Sequence, residues 1–186
     1  VQNLRWLSIV IMGGLVSIFS TLVRCSSTQV TEYKNETPKL SLESYLNGPL
    51  DAYGMFTDRS GKVTRRFHCK IIATWENKNG VLTGIIDETF DWSDGEKQKR
   101  IWKLTKTGEN TFEGRADDVV GVAKGEVFGN AFHWTYVLRV PVKDTTYDLA
   151  VDDWMYLVTD KVMLNKSVLS KFGFNVGEVT LSFSKP

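Results

Sequence analysis

The residues with the clearest chemical potential are charges that alternate with apolar residues in strand-like segments. In a β-strand, successive side chains point to opposite faces, so a charge two positions from apolar neighbours shares their face. Five segments each carry one such charge on an otherwise apolar face. They are Arg65, Glu88, Arg100, Asp118 and Asp153. The alternation therefore predicts five charged side chains inside the fold.

Buried charges are costly unless they are paired, so these five side chains should meet one another or meet water at an opening. Two interpretations follow. One is a structural network of ion pairs that fixes strand register. The other is a ligand-binding site with a polar floor beneath an apolar pocket, where an arginine fork holds a carboxylate or phosphate headgroup. Catalysis by Asp118 or Asp153, as in a weak hydrolase or isomerase, is a third hypothesis.

No established catalytic or metal-binding motif accompanies these charges. The chain has two histidines, His68 and His133, which fall on the more polar faces of separate segments. Asp117-Asp118 and Asp152-Asp153 resemble catalytic pairs, but neighbours in a strand point to opposite faces. The sequence therefore predicts no cofactor, no metal site and no enzymatic activity.

The elements that would position these charges are short strands. From Leu50 onward, apolar residues recur with period 2, and turn signals such as Asn77-Lys-Asn-Gly80 and Asp94-Gly95 recur every 8 to 15 residues. This pattern predicts an all-β fold, an antiparallel up-and-down barrel of the lipocalin-like type with about 8–10 strands. A two-sheet sandwich is the alternative. Short helical turns are predicted over residues 41–46 and 165–171.

The first 24 residues differ from the rest of the chain. Trp6 to Val23 contains no charge, and Arg24 and Cys25 follow. A signal peptide ending at a lipid-modified Cys25 is one prediction, although Arg24 occupies a position where a small residue is usual. An uncleaved membrane-anchor helix is the alternative, since 18 apolar residues just suffice to span a bilayer. The predicted organisation is a signal or anchor over 1–24, a polar tether over 25–39 and one barrel domain over 40–186.

Charge and cysteine content narrow the function classes. Beyond residue 24, 21 basic residues face 22 acidic ones, so no basic field is available to bind nucleic acid. Cys69 lies among apolar residues and is predicted to be a buried thiol. If the anchor is uncleaved, a disulfide with Cys25 is the alternative.

Four strings together resemble one family, the bacterial lipoproteins grouped as domain of unknown function 3833. The strings span residues 59–67, 114–121, 152–156 and 171–180, and the resemblance covers residues 25 to 184. The family has no established activity, so it implies no catalytic residue. Its genes tend to neighbour enzymes similar to cyclopropane-fatty-acid synthase. The resemblance thus implies a role near membrane lipid modification, with a membrane lipid-modifying enzyme as a partner.

The leading functional prediction is a non-enzymatic envelope lipoprotein, tethered by its N-terminal lipid or helix, that binds a lipid or other amphiphile. We expect it on the periplasmic side of the cell envelope. Ser26 follows Cys25 in place of the aspartate that commonly retains lipoproteins at the inner membrane, which favours the outer membrane. The alternative is an interaction or assembly module whose barrel core is solid.

Overall fold

Ten antiparallel strands form one closed barrel in the computed structural model, which describes residues 27–186. They are β1 (Gly48–Asp58), β2 (Val63–Lys78), β3 (Val81–Trp92), β4 (Lys97–Lys106), β5 (Thr111–Arg115), β6 (Val119–Phe128), β7 (Ala131–Val142), β8 (Thr145–Leu157), β9 (Val162–Lys171) and β10 (Phe174–Ser184). A short helix, α1 (Leu42–Tyr45), precedes β1. The predicted all-β up-and-down barrel is confirmed, and so is the helical turn before the first strand.

The barrel is a simple meander. Each strand pairs with its neighbours in sequence, and β1 pairs with β10 to close the sheet, from Asp51 opposite Ser184 to Asp58 opposite Gly177. Closure satisfies the backbone groups that edge strands would leave unpaired. The alternative of a two-sheet sandwich is wrong, because the strands form a single continuous sheet.

The meander gives the barrel two different ends. The turns that join β1 to β2, β3 to β4, β5 to β6, β7 to β8 and β9 to β10 all lie at one end, which we call the mouth. The other turns lie at the opposite end together with α1, which we call the base. A side chain near the end of an odd-numbered strand therefore lies close to the mouth.

Helix α1 closes the base through hydrogen bonds to three parts of the barrel. The hydroxyl of Tyr45 donates to the backbone oxygens of Lys161 (3.0 Å) and Phe183 (3.2 Å). The indole nitrogen of Trp75 in β2 donates to the backbone oxygen of Leu46. These bonds satisfy polar groups that would otherwise be buried without partners. The same bonds hold α1 across the base of the barrel.

Apolar packing fills the half of the barrel next to α1. Phe132 is fully buried there and contacts Phe112 and Trp134 edge-on or tilted. Gly125 makes room for these rings, because a Cβ on it would lie 2.6 Å from both the Phe132 ring and the Trp134 Cβ. This packing near the base holds the strands in place, and the same strands carry the side chains that line the cavity.

The segment before α1 is not the free polar tether that its composition predicts. Val30–Tyr33 forms a 3-10 turn in which Val30 is buried. The ring of Tyr33 lies 6.0 Å from that of Trp154 and 5.4 Å from that of Tyr156. The prediction of a tether over 25–39 is therefore wrong for residues 30–33. Val30 and Tyr33 are three positions apart and therefore lie on the same side of the turn, which packs against the outside of the barrel.

The predicted helical turn over 165–171 is also wrong, because these residues belong to β9. Asn165, Ser167 and Leu169 alternate inward along this strand. Asn165 and Ser167 resemble turn-forming residues, but both are buried and hydrogen-bonded inside the barrel. Their polar partners, rather than a turn, account for their presence here.

The predicted signal or anchor over 1–24 and the predicted lipid attachment at Cys25 lie outside the described residues. Within 27–186, no helix is long and apolar enough to cross a membrane. Cys69 is buried with 1% exposure, as its apolar neighbours predict, and burial strongly raises the pKa of its thiol.

Candidate binding cavity

A cavity of about 1050 Å³ runs inside the barrel from the mouth, where Arg65 and Glu96 line it, past the middle, where Trp134, Met155 and Asn165 line it. Its volume is at the upper end of the range typical of small-molecule sites. Aromatic side chains form much of its wall, including Phe67, Phe90, Trp92, Trp102 and Trp134. A barrel whose interior is packed to normal core density would have no cavity of this size.

All five charged residues predicted to point inward line this cavity. Strand alternation placed Arg65, Glu88, Arg100 and Asp153 correctly, but Asp118 lies in the turn between β5 and β6, where alternation does not account for its position. The five charges do not form one network. Arg100, Glu88 and Asp118 form one cluster, Asp153 is held by uncharged partners, and Arg65 pairs with residues of a turn at the mouth.

Arg100 is the centre of the first cluster. Its Nε and Nη2 lie 2.9 and 2.7 Å from Oδ2 of Asp118, and its Nη1 lies 3.9 Å from Oε2 of Glu88. Burial by itself lowers the pKa of Arg100, but the charges of Glu88 and Asp118 outweigh it, so that pKa is raised overall. Arg100 therefore stays charged, and its fork is already occupied by a carboxylate of the protein.

Glu88 is the least satisfied group of this cluster. Its side chain is 13% exposed, and its Oε2 is buried without a hydrogen bond from any described residue. Burial raises the pKa of Glu88 to about 7, although the charge of Arg100 opposes the shift. Near neutral pH, this carboxyl group therefore exchanges readily between its neutral and charged forms.

Asp153 is 4% exposed and accepts hydrogen bonds from four uncharged donors. Its Oδ2 accepts from Nε1 of Trp134 (2.8 Å) and from the hydroxyl of Tyr136 (3.2 Å). Its Oδ1 accepts from Nδ2 of Asn165 and from Oγ of Ser167 (2.9 Å). Burial raises the pKa of Asp153, and the hydrogen bonds oppose that shift. The expectation that the inward charges meet one another or water is wrong for Asp153, since uncharged donors hold it.

Arg65 lies apart from the other four, at the mouth. Its Nη2 donates to Oδ1 of Asp94 (3.0 Å) and to Oε2 of Glu96 (2.7 Å), both in the turn between β3 and β4. Its guanidinium also stacks over the ring of Trp92 at 4.0 Å. Arg65 therefore links the rim of the cavity to a neighbouring turn and takes no part in the inner cluster.

The two histidines lie on the outside of the barrel, as the alternation predicts. His68 contacts Asp51 at 2.6 Å and stacks on Tyr53, while His133 contacts Asp152 and stacks on Trp154. Neither faces the cavity. In the part of the chain that the structure describes, no three His, Cys, Asp or Glu residues are grouped as metal ligands would be.

Comparison with known proteins identifies the family. A sequence model of the family described as "protein of unknown function (DUF3833)" matches residues 19–185. The chain belongs to this family. The resemblance inferred from the four sequence strings is thereby confirmed. No curated protein matches the chain.

Among solved structures, the barrel is similar to the S-type phycobiliprotein lyase CPES from Guillardia theta. The two superpose with a TM-score of 0.51 at 13% sequence identity, over 86% of this chain and 99% of the lyase chain. At this identity the similarity establishes the fold, a lipocalin-like antiparallel barrel, and nothing about the ligand.

Sequence analysis missed the partners of Asp153. Trp134 and Tyr136 share the inward face of β7, but alternation alone does not show that either of them donates a hydrogen bond to Asp153. Asn165 and Ser167 were missed because their segment was predicted to be a turn. Extending the period-2 pattern from Met163 to Leu169 would have placed both polar residues inside.

Proposed function

We propose that this protein is a non-enzymatic binding protein that holds an apolar or amphiphilic small molecule in the barrel cavity. The observation that carries the proposal is the cavity itself, about 1050 Å³ of space with aromatic walls and a few buried polar groups. Ligand pockets in proteins have this composition. An interaction module with a solid core, the alternative, would leave no such space.

The contacts of the carboxylates argue against catalysis as the main role. Arg100 already contacts both carboxylate oxygens of Asp118, which ties them to the protein. Asp153 already accepts four hydrogen bonds from side chains that hold it in place. These carboxylates therefore serve to organise the polar side of the cavity, and the bound molecule leaves unchanged.

Ligand binding can be followed through the protein's own tryptophans. Trp92, Trp102 and Trp134 line the cavity, so titrating the domain with medium-chain amphiphiles should change their fluorescence saturably. Val179→Phe, which fills part of the cavity from β10, should weaken binding about tenfold. Thr180→Phe adds the same ring on the exposed outer face of that strand and should leave binding unchanged. If no amphiphile binds saturably, or if both variants behave alike, the proposal is wrong.

We propose further that the domain is tethered to the cell envelope on its periplasmic side through Cys25, with a membrane lipid-modifying enzyme as partner. The packing of Val30 against the barrel supports a short connection. From Cys25 to Val30 the chain extends at most about 17 Å, so a lipid on Cys25 would hold the barrel close to the membrane surface. The serine at position 26 favours the outer membrane.

Intact mass spectrometry tests the attachment. Protein extracted from membranes should begin at Cys25 and carry the added mass of acyl chains. Cys25→Ser should lose both the cleavage and the acyl mass. Recovery of uncleaved protein that still contains Trp6 to Val23 would instead support the helical anchor and identify Arg24 as the residue that blocks cleavage.

A further inference from the structure

The charges that line the cavity are unfavourable for an anionic ligand. Among residues 27–186, four cations line it, and each is already paired with a carboxylate of the protein. The pairs are Arg65 with Asp94 and Glu96, Lys99 with Asp87, Arg100 with Asp118 and Glu88, and Arg139 with Asp148. Asp153 adds a carboxyl group that has no cationic partner. The anionic headgroup of a ligand would have to displace one of these carboxylates from its cation or lie beside a carboxylate of like charge.

Glu88 is the carboxyl group of the cavity whose interactions are incomplete. Its Oε2 accepts no hydrogen bond from the described residues, and the guanidinium of Arg100 is turned toward Asp118 at 2.7 Å while remaining 3.9 Å from Glu88. Among the described residues that line the cavity, Nε of Arg65 also forms no hydrogen bond, although it lies 2.8 Å from Oδ2 of Asp94.

A buried acceptor without a donor costs free energy. Because Oε2 of Glu88 has almost no accessible surface, a ligand's donor would reach the carboxyl group through the part of the side chain that lines the cavity. Above Glu88, toward the mouth, Phe90 and Trp92 supply apolar wall for the remainder of a ligand.

We propose that the cavity selects an amphiphile with a cationic hydrogen-bond donor, a primary ammonium group on an apolar chain, and that this group binds Glu88. The inference rests on the proposed binding function and names the ligand class for the same cavity. It differs from the expectation, based on sequence, that the arginines hold a carboxylate or phosphate headgroup. In the structure those arginines are occupied, and the buried acceptor without a hydrogen bond belongs to an acid whose nearest cation lies 3.9 Å away.

The surroundings of Glu88 determine how such binding depends on pH. The titratable and charged groups that face it are Cys69 on β2, Arg100 on β4, Asp118 after β5, Tyr136 on β7 and Asp153 on β8. Asp87 on its own strand points to the opposite face, and its charge also raises the pKa of Glu88. Because the pKa of Glu88 is about 7 without ligand, an ammonium group should bind more tightly as pH rises from 5.5 to 8 and Glu88 loses its proton. A neutral headgroup should show no such rise.

Three probes with the same alkyl chain length separate the contribution of the headgroup to binding affinity from that of the chain. Dodecylamine, dodecanol and dodecanoate are titrated into the soluble domain below their aggregation concentrations, with tryptophan fluorescence as the readout. At pH 7.5 dodecylamine should bind about tenfold more tightly than dodecanoate. Glu88→Gln, which keeps the shape and removes the charge, should abolish this preference and its pH dependence. Glu76→Gln removes a charge from the exposed outer face and should preserve both.

The outcomes distinguish failure of the inferred ligand class from failure of the proposed binding function. Binding of dodecanoate at least as tight as that of dodecylamine overturns the inference and leaves the binding function standing. A preference for the amine that survives in Glu88→Gln, or that is lost equally in Glu76→Gln, also overturns it. If none of the three probes binds saturably, the proposed function itself fails. Should Glu88→Gln not fold, the pH dependence of the unmodified protein decides, because amine affinity that does not rise with pH contradicts the assignment.

Discussion

Replacing Arg100 with methionine should lower the free energy of unfolding by about 3–5 kcal/mol at pH 8, because the substitution leaves two buried carboxylates without a cation. Asp118 loses the contacts at 2.9 and 2.7 Å, and Glu88 loses its counter-charge at 3.9 Å. Urea unfolding measures the change. The matched control is Lys103→Met in the same strand, whose side chain points outward into solvent and should be close to neutral. Equal small effects would mean that the Arg100 cluster is open to water.

The same variant has a defined dependence on pH. In the folded protein the pKa of Glu88 is about 7, above its ordinary value of 4.5, so the folded state binds more protons than the unfolded state between these values. The contribution of Glu88 to stability is therefore fully present below pH 4.5 and is lost as pH rises to 7. Without Arg100 the pKa of Glu88 should rise further. The deficit of the Arg100 variant should consequently be smaller at pH 5 than at pH 8.

Strand alternation identified four of the five inward charges, while Asp118 lies in a turn and the inward Asn165 and Ser167 were missed. Glu88 and Arg100 were placed inside because each lies two positions from apolar neighbours, and the register pairs them directly across β3 and β4. The number of strands and the closed meander followed from the regular spacing of turns. These features depend only on local sequence and on the two-residue period of a strand. They can therefore be predicted from a single sequence.

The partners of the inward charges depend on three-dimensional register, which local patterns do not encode. Arg65 pairs with Asp94 and Glu96 because the turn between β3 and β4 folds beside the start of β2. Asp118 reaches Arg100 from the turn between β5 and β6, across the short strand β5. Neither approach is visible in the spacing of the residues, so the sequence pattern gave the inward charges without showing which residues pair with them.

For Asp153, the identity of its partners determines why its removal is destabilising. Asp153→Ala should lower the free energy of unfolding by about 3 kcal/mol, but not because an arginine loses its partner. The substitution leaves the indole of Trp134 and the hydroxyl of Tyr136 without an acceptor inside the barrel, and each buried unsatisfied donor costs about 1–3 kcal/mol. Lys70→Ala, an exposed change on the outer face of β2, should be close to neutral in the same urea unfolding experiment.

Asp153→Asn separates the role of hydrogen bonding from that of charge. Asparagine has nearly the same shape, but it replaces one acceptor oxygen with a donor that would face either the pair from Trp134 and Tyr136 or the pair from Asn165 and Ser167. We therefore expect it to be destabilising too, by about 1–3 kcal/mol. If Asp153→Asn were as stable as the unmodified protein while Asp153→Ala were not, the four donors would not require two acceptor oxygens. Asp153 would then act mainly by filling space. If both variants are destabilised, the polar side of the cavity is a network built around one buried carboxyl group, and that network is present before any ligand enters.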